Sequence, residues 1–177
     1  MPLAVYAKGG VAVDGTNVFF VQGALFDPAA ADNDTWAHHA ATVMKSVYEE
    51  ESDMALTTVF LDIRTDEAFA NPAVTALLPL FKVLLALINE HNPNRLKSLV
   101  IYPVSPMISW TISNLLRMVC DSSTRAKVML VKGSDTSGSP APMELEGLVK
   151  FEELPVETRR MHKVGGYREA EDDNTTM

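Results

Sequence analysis

The chain has 177 residues, of which 47% are hydrophobic and 21% charged, with a formal net charge of −8. That length fits one domain around a single core, and that balance is globular and excludes a disordered chain. The negative charge excludes a nucleic-acid partner held by phosphate neutralisation, and it disfavours broad attraction to anionic membranes, a local basic patch aside.

In chain order, Val11-Ala12-Val13 and Val18-Phe19-Phe20-Val21 flank Asp14-Gly15. This pattern predicts a hairpin, because glycine supplies the positive φ of a tight turn. Asn33 or Asp34 then caps a helix to about Glu50, whose Trp36, Ala40, Val43, Met44 and Val47 recur at helical spacing. Leu56 to Ile63 carries the continuous run Val59-Phe60-Leu61 and reads as a central strand. Asn71-Pro72 opens a helix to Ile88 with Val74, Leu77, Phe81, Leu84 and Ile88 on one face and Leu80, Val83 and Leu87 on a second.

Leu96 to Tyr102 is another buried strand. Pro106 opens a helix to about Cys120, with Ile108, Ile112, Leu115, Leu116 and Val119 on one stripe. Met107, Trp110 and Met118 lie off that stripe, so the helix has a wide apolar surface. Asp121-Ser122-Ser123 caps a short turn, Val128 to Val131 is the last strong strand, and residues 133–142 form a loop rich in Ser, Gly and Pro. A helix is expected from Met143 to Phe151. Residues 1–167 read as one domain and 168–177 as an acidic, disordered tail. Strands alternating with helices predict an α/β fold with a mostly parallel five-stranded sheet, mixed at the hairpin edge and flanked by helices.

The single cysteine, Cys120, excludes an internal disulfide, which suits a reducing compartment. No secretory n-region and h-region is recognisable, and the stretch Pro72 to Ile88 is broken by Lys82 and short for a bilayer. The expectation is a cytoplasmic protein.

Catalytic chemistry is largely absent from the pattern. Gly133 and Gly138 have phosphate-loop spacing, but Ser139-Pro140 replaces the Lys-Ser or Lys-Thr that would reach the phosphates. His38 and His39 diverge by about 100° on a helix and cannot share one ion from that face. His91 and His162 have no ligand pattern around them, so no metal site and no cofactor is expected. Cys120 has no histidine motif and reads as a small core residue. Asp62 ends the central strand, where α/β folds place functional groups, but bonding to the amides of the following loop is the preferred role. No nucleophile, base and oxyanion donor can be assembled, so the chain is read as a non-enzyme.

From Asn92 onward the chain resembles the CRAL-TRIO family. Asn92-Pro93-Asn94-Arg95-Leu96 followed by Leu99-Val100-Ile101-Tyr102-Pro103 is similar to the family's Tyr-Pro-Glu-Arg-Leu and strand, most of all in its divergent branch. Met107 to Val119 is the counterpart of the gate helix. Ser123 to Val128 resembles the Thr-x-x-Lys-Ile start of a strand, and Glu153-Leu154-Pro155 with Gly165-Gly166 resembles the closing elements. Asp14-Gly15 before Val18 is similar to the family's start. The helical segment that usually precedes the lipid-binding lobe has no counterpart.

The resemblance implies binding or transfer of a lipid or small hydrophobic molecule in an apolar cavity under the gate helix. The residues implied are Met107, Ile108, Trp110, Ile112, Leu115, Leu116, Met118 and Val119. Lys127 matches the headgroup lysine of phosphoinositide-binding members, while Asn94 replaces their glutamate. Transient membrane contact and a protein partner are both implied as possible. The alternative is a protein-interaction module of the divergent type, for example a partner of a small-GTPase regulator, with a filled cavity.

Overall fold

The computed structural model describes residues 5–23, 29–49, 56–64, 94–134 and 141–150, together with Pro79, Leu80, Lys82, Val83, Ala86 and Ser139. The elements are β1 (Val5–Val11), β2 (Asn17–Gln22), α1 (Asn33–Glu49), β3 (Thr57–Asp62), β4 (Leu96–Val104), α2 (Pro106–Val119), α3 (Ser122–Ala126) and β5 (Val128–Lys132). A 3-10 turn at Met143–Gly147 follows.

The local chemistry explains the boundaries. Gly15 has φ 83° at the hairpin turn, where Asp14 Oδ1 accepts from the Thr16 amide at 3.1 Å. The cap of α1 lies one residue earlier than the sequence reading, because Asp32 Oδ1 accepts from Thr35 N at 2.7 Å. Ser105 caps α2 by accepting from Ile108 N, with Pro106 at the first helical position. Asp121 caps α3 through Thr124 N at 2.8 Å.

The sheet runs in the unbroken order β1-β2-β3-β4-β5. β1 pairs antiparallel with β2, and every later pair is parallel. The mixed edge expected at the hairpin is therefore present. Right-handed crossovers that each step one strand onward place their helices on one face of the sheet. Val43 of α1 and Ile108, Ile112 and Leu116 of α2 do pack on the same cluster, formed by Phe19, Val59, Leu61, Leu99 and Ile101.

The opposite face carries Val18, Phe20, Phe60, Val100 and Tyr102, and among the described residues it is covered by Ala141, Leu145 and Val149. Phe20 and Phe60 stack with centroids 5.0 Å apart, and Tyr102 meets Phe60 edge-on at 6.4 Å. The helix expected over Met143 to Phe151 is in fact a single 3-10 turn. Ala12 bridges Val149, and Val13 N donates to Leu148 O at 2.9 Å, so pairing with the hairpin turn ends the helical path after Leu148.

Of the helix read over Pro72 to Ile88, the described positions Pro79, Leu80, Lys82, Val83 and Ala86 are helical. Leu80 and Val83 are half-buried and Lys82 is exposed. The rest of that helix, His91, His162, the closing Leu-Pro and Gly-Gly elements, and the tail from 168 lie outside the described residues.

Gly133 is set by close approach. A Cβ there would stand 2.7 Å from Pro103 Cβ and 3.0 Å from Pro142 Cγ, both on stiff rings, whereas one at Gly147 would meet nothing within 4 Å. Gly133→Ala is therefore expected to cost about 1–3 kcal/mol. Gly147→Ala is expected to change stability by less than about 0.5 kcal/mol. Urea midpoints for the two variants check this, and equal midpoints would contradict the packing.

Candidate ligand-binding site

Helix α2 lies over the middle of the helix-bearing face, and the structure divides its apolar residues into two rows. Ile112 is buried, and Ile108 and Leu116 are half-buried against the sheet cluster. Leu115 is also half-buried, and the Val119 side chain lies outside the described positions. Met107, Trp110 and Met118 point the other way, with exposures of 77%, 71% and 81%. The eight residues named from the sequence are thus not one lining. One row meets the sheet, and three large side chains meet solvent.

Beneath the helices, at the start of β3, sits a polar group that sequence reasoning passed over. Thr57 is 2% exposed and its Oγ1 has no hydrogen-bond partner among the described residues. Its alternation with Val59, Leu61 and Ile63 puts it on the helix-bearing face. A register shift beside Thr57 turns Leu96 onto that face as well. Leaving a buried hydroxyl unpaired costs about 1–3 kcal/mol, so it calls for an explanation. The signal in the sequence was the pair Thr57-Thr58 at the head of an otherwise apolar strand; in alternation, one of the two must face the helices.

Lys127 stands at the same end of the sheet. It ends α3, its carbonyl accepts from Leu99 N at 2.9 Å, and its half-buried side chain makes no ion pair among the described residues. Asn94, in the turn before β4, is exposed with φ 66°. Asparagine tolerates this left-handed conformation better than most residues, which gives a backbone reason for its presence there.

At the other end, Asp62 and Arg64 are both buried. Asp62 Oδ1 accepts from the Arg64 amide at 2.9 Å, the loop-amide role read from the sequence. The unforeseen part is the guanidinium of the same Arg64. Its Nε lies 3.0 Å from each carboxylate oxygen, its second terminal nitrogen pairs with Oδ2, and its first donates to Ser139 O at 2.7 Å. Burial works to lower the Arg64 pKa, but the hydrogen bond and charge of Asp62 outweigh it and raise it. Arg64 also lies 5.9 Å over the Tyr102 ring. This group is fully engaged with itself and with the loop, so it acts as a structural anchor. Cys120 is buried, and burial, with Asp121 alongside, pushes its thiol up, away from the reactive thiolate.

Two predictions follow from the anchor. Arg64→Met takes the guanidinium away from a buried carboxylate and is expected to cost about 3–5 kcal/mol, whereas Asp62→Leu with Arg64→Met recovers most of that loss. A double-mutant cycle in urea tests it, and a double variant no more stable than Arg64→Met would refute the pairing. Burial, reinforced by the charge of Asp62, holds the Tyr102 phenol well above its ordinary value. An unfolded tyrosine loses its proton at about pH 10, so the folded state keeps the extra proton there and stability falls as pH rises past that point. Tyr102→Phe should flatten this alkaline loss in unfolding curves recorded from pH 8 to 11.

The model of the CRAL/TRIO domain family matches residues 9–158. No curated protein matches significantly. Among solved structures, the crystal structure of Sfh5 superposes with a TM-score of 0.54 at 14% identity, covering 72% of this chain and 47% of that one. The chain spans about half the length of that structure, and at this identity the likeness is one of fold. Among the described residues, no helix is long and apolar enough to cross a membrane.

Proposed function

Because the chain belongs to the CRAL/TRIO domain family, a family of lipid binding and transfer, we propose that it binds a lipid or small hydrophobic molecule between the sheet and α2. The observation that carries this reading is the orphaned hydroxyl of Thr57 among apolar side chains on the helix-bearing face. A ligand that enters there and offers one polar group satisfies the hydroxyl, while its chains replace the contacts made by Ile108, Ile112 and Leu116.

The outer row supports the same reading. A helix that moves to admit an apolar molecule needs apolar groups on both sides, and Met107, Trp110 and Met118 supply the outer side. Tryptophan and methionine at such exposure suit transient contact with a membrane surface from which the ligand is taken. Lys127, whose ammonium makes no ion pair among the described residues, is the candidate for an anionic headgroup. Binding of this kind calls for no catalytic residue and no cofactor. A cytoplasmic location suits the single cysteine.

The exposed row also favours a second reading, in which Met107, Trp110 and Met118 form a protein-docking surface over a filled interior. The two readings part on one measurement. Purified protein is denatured, extracted into organic solvent and analysed by mass spectrometry. A lipid in stoichiometric amount is expected, and repeated recovery of none would leave only the docking surface.

Thr57→Val refines the carrier reading, since removing the orphan should stabilise the empty protein by about 1 kcal/mol and weaken ligand retention roughly tenfold. Stability and retention measured on the same preparation check this. Parallel gains in both would show that the hydroxyl does not face the ligand.

A further inference from the structure

The face of the sheet opposite α2 has a polar feature that lipid binding does not use. A cleft of about 160 Å³ opens between the hairpin turn and the 3-10 turn, with Asp14, Thr58 and Ser98 as its polar lining and Val13, Val100 and Leu148 as apolar walls. A hydrogen-bonded chain connects the polar groups. Thr16 Oγ1 donates to Asp14 Oδ1 at 2.7 Å, Thr16 Oγ1 and Thr58 Oγ1 are 2.7 Å apart, and Ser98 Oγ reaches Thr58 Oγ1 at 3.2 Å.

A hydroxyl has one proton to give and two lone pairs to receive. The carboxylate can only accept, so the Thr16 proton points at Asp14. Thr58 must then donate to Thr16, and Ser98 must donate to Thr58. The chain therefore has a direction, with every proton committed toward Asp14. What remains for the cleft is an acceptor at each end, the lone pairs of Ser98 Oγ and the second oxygen of Asp14. Neither has another partner among the described residues.

The hydrogen bond from Thr16, chiefly, holds the Asp14 carboxyl below its ordinary range, so it stays ionised. Lys97 contributes to this through its charge, but it is exposed and makes no ion pair with Asp14. An acceptor-only floor beside a carboxylate, between apolar walls, selects for a donor that is cationic and carries a short alkyl chain.

We infer that the cleft formed by the hairpin turn, Ser98 and Gly147 is a binding site for a primary alkylammonium group. At about 30 Å³ for each water-sized group, the space holds about five non-hydrogen atoms, the size of n-butylammonium or of a lysine side-chain end. The same chemistry belongs to a free amine and to a lysine presented by a partner. The site lies on the other face of the sheet from α2, so it neither depends on lipid binding nor fails with it.

The test is a titration of the whole protein, followed by amide NMR, with n-butylammonium chloride. Controls are n-butanol and sodium chloride at matched concentration. Saturable shifts are expected at Thr58, Ser98, Val100 and Leu148 with the ammonium at millimolar concentration. An N-acetylated lysine peptide that binds at least tenfold tighter than the free amine would assign the site to a presented lysine, and equal binding to a free amine. Asp14→Asn keeps the oxygen that caps Thr16 but removes the charge, and should weaken binding roughly tenfold. Gly147→Leu fills the cleft from a position with open space and should abolish the shifts while leaving the unfolding midpoint near that of the parent. Equal shifts with n-butanol, no saturation at these four amides, or unchanged binding in Gly147→Leu would each overturn the proposal.

Discussion

The unbroken strand order is the constraint on which the rest of this molecule depends. Right-handed crossovers that step one strand onward keep their helices on one side, and α1 and α2 do pack on one face. A doubly wound sheet would reverse its strand order, and this one does not. The second face, which carries three aromatic rings, must be covered by whatever chain remains. Residues 141–149 serve as that cover, drawn down at one end by the Ala12–Val149 bridge and linked at the other through Ser139 to Arg64. The buried Asp62–Arg64 pair follows from the topology in this sense. It ties the cover to the sheet through the Ser139 carbonyl.

The two faces then differ in how they treat buried polar groups. On the covered face every hydroxyl and charge that is buried has a partner, from Thr16 and Thr58 to Asp62 and Arg64. On the helix face Thr57 has none. A protein loses stability by burying an unpaired hydroxyl, and the loss is tolerated most readily where a ligand restores the bond. The contrast locates the proposed lipid on the side of α2 without appeal to the shape of a cavity. It also separates that site from the amine cleft, whose hydroxyls are paired and whose remaining capacity is acceptance alone.

The α2 helix shows where patterning was legible and where it stopped. Its start at Pro106 and its end near Cys120 were readable, because a serine cap, a proline and helical spacing are local signals. Its breadth of apolar surface was readable too. Which residues faced the sheet was only half readable, since Ile108, Ile112 and Leu116 sit on the expected stripe while Met107, Trp110 and Met118 are apolar and exposed. Composition cannot distinguish a side chain buried in a core from one held out for a surface. The helix expected after Met143 failed for a different reason. The bridge from Ala12 is a long-range contact, and it overrode the local preference of Met143 to Phe151.

The sequence by itself determined the α/β class, the hairpin turn at Asp14-Gly15 and the cores of β2 to β5, whereas β1 runs over Val5–Val11 and not over Val11-Ala12-Val13. These follow from spacing, caps and turn residues, which act within a few positions along the chain. Only the tertiary structure decided that Thr57 is orphaned, that Arg64 folds back on Asp62 and reaches Ser139, and that Thr16, Thr58 and Ser98 form one directed chain. The last of these depends on strand register, which brings residues some forty positions apart within 3.2 Å of one another, a distance that no local signal encodes.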